Sequence, residues 1–117
     1  VKLPAISKRA LAHIAEQRAL MPEPERSRWI PVIGEEGDVK PVGRSKAVRL
    51  IRYPFLGWNE RDRVSPAFIR DCDGISVGFS LDQSEMQLHQ NHVVDYVGGR
   101  LAWVEAGDVE TGTANQR

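Results

Sequence analysis

Residues 71–81 read DCDGISVGFSL, and two folds compete for them. Letter for letter, Gly74-Ile75-Ser76-Val77-Gly78 is the G-x-S-x-G spelling of a serine-hydrolase nucleophile elbow. That elbow works because a strand turns sharply into a helix directly after the serine, exposing its oxygen beside free backbone amides. No helix signal follows Ser76. Ile75, Val77, Phe79 and Leu81 instead alternate with Ser76, Gly78 and Ser80, the period of a half-buried strand. The stretch therefore reads as the second arm of a hairpin, and Ser76 as an outward serine.

The register of that hairpin follows from its turn. A two-residue Asp73-Gly74 turn sets Arg70 opposite Val77, on the apolar face. A three-residue Cys72-Asp73-Gly74 turn sets Ile69 opposite Val77 and Arg70 opposite Ser76, and lays Phe68 over the bare Gly78. The second register buries the apolar side chains and exposes the arginine, so it is the expected one. Cys72 is expected as a half-buried thiol. Nothing in its neighbourhood lowers its pKa in the way a nucleophile needs.

Downstream, VVDYVGGRLAWVEAG is a second hairpin turning on Gly98-Gly99. It puts Val94, Tyr96, Leu101 and Trp103 on one face. Between the hairpins, Asp82 followed three residues later by Glu85 spells a capping box for a helix over 83–90. His89, His92 and Asp95 follow at three-residue steps. On one helix they would make a two-His, one-carboxylate metal set. A helix ending near residue 90 excludes Asp95, and strand parity separates the two histidines, so solvated histidines are the expectation. DCDG opens like a calcium loop, but the glycine and the final acid fall at the wrong positions. An HNH-nuclease reading of NHVVDYVGGR lacks its later Asn and His.

Upstream, residues 5–21 carry apolar side chains at helical spacing, among them Ile6, Ala10, Leu11 and Ile14, and MPEPE stops the helix. Trp29–Ile33 reads as a short strand, with Pro31 assigning it to an edge or a bulge. GEEGD reads as a turn. SKAVRLIRY, residues 45–53, fits a short helix better than a strand: Ser45 caps it and Pro54 stops it.

At 117 residues the chain is expected to form one domain. A chain of this length buries roughly 65% of its unfolded surface. The expected organisation is a helix with a proline-rich stop over 1–24, a basic irregular α/β segment over 25–63, hairpins over 64–106 and a flexible tail over 107–117. The fold class is α+β, with an N-terminal helix packed on one small antiparallel sheet built largely from the two C-terminal hairpins. One cysteine precludes an internal disulfide and points to the cytoplasm. No apolar run spans a bilayer, and the charged N-terminal stretch lacks the apolar core of a secretory signal.

Net charge is zero but divided. Residues 1–63 hold 13 Lys and Arg against 8 Asp and Glu, and residues 64–117 hold 3 against 8. Lys40, Arg44, Lys46, Arg49 and Arg52 run without an acidic residue from 39 to 59, followed by Tyr53, Phe55 and Trp58. Basic groups neutralise phosphates and aromatics stack on bases, so this is the candidate nucleic-acid or acidic-partner surface. Each catalytic set is incomplete, and no cofactor or metal is expected. The expected function is therefore a small, non-enzymatic protein-binding or assembly protein, acting with a protein partner or a second copy of itself. It would use charge asymmetry and sheet edges, with Trp58, Arg70 and Ser76 as interface candidates. A nucleic-acid-binding accessory protein is the alternative, and a metal-dependent or serine hydrolase a distant third. No membrane role is expected.

Overall fold

The computed structural model describes residues 2–44 and 47–108. The chain is α+β, but its strands form two sheets rather than the single small sheet expected, and the two C-terminal hairpins fall in different ones. Ten elements position the surfaces that matter. In chain order they are β1 (Ala5–Ile6), α1 (Lys8–Ala19), α2 (Glu25–Arg28), β2 (Trp29–Pro41), β3 (Val48–Glu60), β4 (Ile69–Cys72), β5 (Ile75–Ser80), α3 (Gln83–Leu88), β6 (His92–Val97) and β7 (Arg100–Glu105). One sheet has the order β1-β6-β7, the other β3-β2-β5-β4. The β1–β6 and β2–β5 pairs are parallel and the rest antiparallel. The sheets approach each other along β3 and β7.

The N-terminal helix starts later than its apolar pattern suggests, because Ala5 and Ile6 pair with Val93 and Val94 as a short strand. Ser7 then caps it, its Oγ accepting from the Ala10 amide at 3.1 Å. Ala10, Leu11 and Ile14 are buried in the core with Ile33, Val77, Phe79, Met86, Val94 and Leu101. Each fully buried large aliphatic side chain contributes about 1.5–3 kcal/mol. The capping box at Asp82 and Glu85 forms in both directions, at 2.8 and 2.9 Å. The Gly98-Gly99 hairpin has the expected register, with Tyr96 opposite Leu101 and Val94 opposite Trp103.

The β4–β5 turn has two residues, not three. Asp73 and Gly74 both take positive φ, 49° and 85°, as a type I′ turn requires. Arg70 therefore pairs with Val77, and Ser76 with Asp71. This register places Cys72 at 0% exposure on the core side, which offsets turning Arg70 inward. Ile69, not Phe68, lies opposite Gly78. A Cβ on Gly78 would meet Val64, Val32 and Ile30 at 3.1–3.4 Å, so side chains from β2 and the preceding loop fill that space.

The largest departure is the β2–β3 hairpin. Trp29–Pro41 is one 13-residue strand, inside its sheet rather than at an edge, with Pro31 one residue ahead of the stretch paired with β5. GEEGD is strand, not turn. Gly34 sits under the ring of its cross-strand partner Phe55, where a Cβ would stand 2.9 Å from Cε1, so the aromatic supplies the packing the glycine lacks. The expected helix over 45–53 is strand from Val48 onward, and it runs on through Pro54. An edge strand tolerates a proline, and β3 is an edge strand. Thirteen cross-strand pairs outweigh a local helix preference that Val48, Ile51 and Tyr53 hold only weakly.

A 13-residue strand is about 43 Å long. That exceeds the two shorter dimensions of the molecule, which measures 51 × 31 × 28 Å. The radius of gyration is 15.2 Å, against about 13 Å for a globule of this length. The distal half of the hairpin, beyond Glu36 and Tyr53, projects as an arm whose described residues are almost all exposed.

Candidate functional site

Cross-strand partners share a face, so the register sorts the arm into two sides. One continues the core face of the sheet. After Ile33 and Leu56 it carries Glu35, Gly37, Val39 and Pro41 on β2, opposite Pro54, Arg52, Leu50 and Val48 on β3. Val39, Leu50 and Val48 are exposed by 58%, 53% and 64%. With Pro41 they form an exposed apolar stripe on the outer half of this face, set off from the core by the Arg52–Glu35 ion pair, with Leu50 folded over Gly37. The other side carries Glu36, Asp38 and Lys40 opposite Tyr53, Ile51 and Arg49. Its charges are mixed, and Tyr53 and Phe55 are exposed there.

This geometry redistributes the basic segment. Lys40 and Arg49 are cross-strand neighbours on the mixed face, with Lys40 3.7 Å from Asp38. Arg52 turns to the opposite face and donates to Glu35 Oε2 at 3.1 Å. Arg44 is at the exposed end of the arm, and Lys46 lies outside the described residues. The one-sided basic helix is replaced by a ribbon with a basic tip. Of the interface candidates, Trp58 is half-buried opposite Pro31. Arg70 is half-buried and donates to the Leu3 carbonyl at 3.3 Å. Ser76 donates to Asp71 Oδ1 at 2.7 Å from the opposite face of the β4–β5 hairpin. No helix begins after it. Burial, the largest effect, pushes the Cys72 thiol above its ordinary pKa, so it is not an activated nucleophile.

At the root of the arm lies a polar cluster. His89 closes α3 and His92 opens β6, and their Nδ1 atoms approach to 2.9 Å. His89 Nε2 is hydrogen-bonded to Glu35 Oε1. His92 Nε2 faces Glu105 Oε1 at 3.7 Å. The His89 ring stacks on Trp103, with centroids 3.8 Å apart. Glu35 and His89 side chains are 2% and 4% exposed. Glu35 was hidden in the sequence by its glycines, which spell a turn. Continuing the strand period from Ile33 would have placed it on the core face.

Asp95 does not join the histidines. It lies three strand residues from His92 and points the other way, into the start of α1. Ser7 Oγ donates to it at 2.6 Å, Arg9 Nε and Nη2 at 2.7 and 2.6 Å, and the Tyr96 amide at 2.8 Å. The Arg9 bonds, aided by Ser7, outweigh burial and hold its carboxyl down from 3.8 to about 2. Among the described residues, no three His, Cys, Asp or Glu side chains converge as a metal-binding group. None of the described helices is long and apolar enough to cross a membrane. No family model, no curated protein and no solved structure matches the chain.

Proposed function

We propose that the chain is a small, non-enzymatic assembly protein that docks on a second copy of itself through the β2–β3 arm. The observation that carries this reading is the apolar stripe of Val39, Pro41, Val48 and Leu50. An exposed apolar patch on the core-side face of an element that leaves the body is costly in water and marks an interaction surface. Charge supports a like partner. The arm tip carries Lys40, Arg44 and Arg49, while the other half of the chain exposes Asp71, Asp73, Asp82 and Glu105. A two-fold pair lays each basic tip on the acidic half of its partner, making two equal contacts. The single buried Cys72 suits a reducing compartment such as the cytoplasm.

The second reading is nucleic-acid contact by the same ribbon, supported by the Lys40–Arg49 pair on the same face as exposed Tyr53 and Phe55. Glu36 and Asp38 on that face repel phosphate, so we rank it below self-association. Sedimentation over a wide concentration range tests the first reading. The expected result is a mass rising toward twice 13.1 kDa, and a Leu50→Glu variant that stays monomeric with unchanged thermal stability. A monomer at every concentration, together with salt-sensitive binding to random DNA or RNA, favours the second.

A further inference from the structure

The prolines of the arm share a pattern that fixes where its backbone points. Antiparallel partners alternate between pairs that exchange both backbone hydrogen bonds and pairs that exchange none. Just beyond the ladder the Val42 amide donates to the Ala47 carbonyl at 3.1 Å, so that pair is of the bonded kind. Counting inward, Lys40–Arg49, Asp38–Ile51 and Glu36–Tyr53 are bonded too. Pro41–Val48, Glu35–Pro54 and Pro31–Trp58 all fall in the other class, where a missing N–H takes nothing from the hairpin. Val48, Leu50 and Arg52 belong to that class as well. Their N–H and C=O groups therefore point away from β2, out of the free edge of the sheet.

These three residues are exposed and form an unbroken row of donors and acceptors outside Pro54. The opposite edge of the arm has no partner on β5 beyond Gly34, but Pro41 leaves a gap in its row of donors. An unpaired row on an edge strand is a template for another strand.

An antiparallel copy of β3 fits this row best in one register. A two-fold axis at Arg49 sets arginine against arginine, like charges directly opposite. An axis at Ile51 sets Val48 against Pro54, which has no N–H to give. An axis at Leu50 pairs Leu50 with Leu50 and Val48 with Arg52, so every outward donor meets an acceptor. It also joins the two apolar stripes, Val39 and Leu50 of one copy beside Leu50 and Val39 of the other. On the mixed face, Lys40 and Arg49 of one copy then line up, across Ile51, with the partner's Asp38.

We propose that two copies join edge to edge, β3 antiparallel to β3, with Leu50 on the two-fold axis. This rests on self-association through the arm and specifies its mode, a backbone ladder rather than one stripe pressed on another.

Val48→Pro separates the two modes. It keeps the stripe apolar and the hairpin's own ladder whole, and removes an outward N–H once in each copy. Sedimentation should show it associating at least about tenfold more weakly than wild type, with the same melting temperature. Disulfide trapping reads the register. Arg49 faces the partner's Ile51 with about 4.5 Å between Cα atoms, whereas two Arg49 or two Ile51 residues stand about 8 Å apart, beyond disulfide reach. Mixed Arg49→Cys and Ile51→Cys chains should therefore cross-link under mild oxidation, and either variant alone should not. Cys72, at 0% exposure, stays out of the reaction. Trapping needs no proline, so it decides the register should Val48→Pro lose its fold. Association of a folded Val48→Pro as tight as wild type, or cross-linking as strong in one variant alone, overturns edge pairing and leaves self-association standing. A wild-type chain that is monomeric at every concentration removes both.

Discussion

Asp95 is the residue on which the N-terminal helix is fastened. Its carboxylate takes four hydrogen bonds from three sites: the cap Ser7, the first-turn Arg9 and the Tyr96 amide. Its pKa in the folded chain, about 2, lies below the ordinary 3.8, so the folded state binds its proton less readily than the unfolded state. The stabilisation is therefore present above the unfolded value and lost as pH falls through the folded one. Arg9 is 62% exposed, so solvent screening trims the effect to about 1–2 kcal/mol. Asp95→Asn should lower stability by about that amount near neutrality, and by less near pH 2, where the wild-type carboxylate is also neutralised. Urea unfolding of both proteins at the two pH values checks this. The sequence holds half of this site. A helix ending near residue 90 excludes Asp95 from a shared face with His89, although strand parity wrongly parts His89 from His92, whose rings meet; Ser7 and Arg9 lie more than eighty residues from Asp95, and nothing local links them to it.

At the scale of elements, legibility followed the locality of the forces. The α3 capping box and the Gly98-Gly99 hairpin are set by residues within a few positions of one another, and both form as their spelling implies. The β2–β3 hairpin is set by partners up to 31 residues apart, as Trp29 is from Glu60. Its glycines and prolines each spell a break when read alone. Only a partner shows that Phe55 covers Gly34 and that Pro54 lies on an edge. The β4–β5 turn failed for a related reason: burial of Cys72 outweighed exposure of Arg70. Gly78 tests how tightly β5 is packed. Gly78→Ala forces a methyl to within 3.1–3.4 Å of Val64, Val32 and Ile30. It should destabilise the fold by about 1–3 kcal/mol, readable as a lower denaturation midpoint with an unchanged slope.

For the molecule as a whole, the division of charge was legible and its meaning was not. The basic segment is neither a helix nor one-sided. It lies in an arm whose core-side face is apolar beyond Arg52 and whose tip is positive. That shape makes Val39, Val48 and Leu50 the residues at stake, and single substitutions there should barely alter monomer stability, because their side chains already face water. Hydrogen–deuterium exchange along the arm at low and high protein concentration tests this most directly. Self-association through the stripe predicts that amides of residues 37–41 and 48–52 exchange more slowly as concentration rises. It also predicts that Leu50→Glu abolishes the change. Equal exchange of those amides at every concentration, in a sample whose mass nonetheless increases, would place the contact elsewhere and contradict the account.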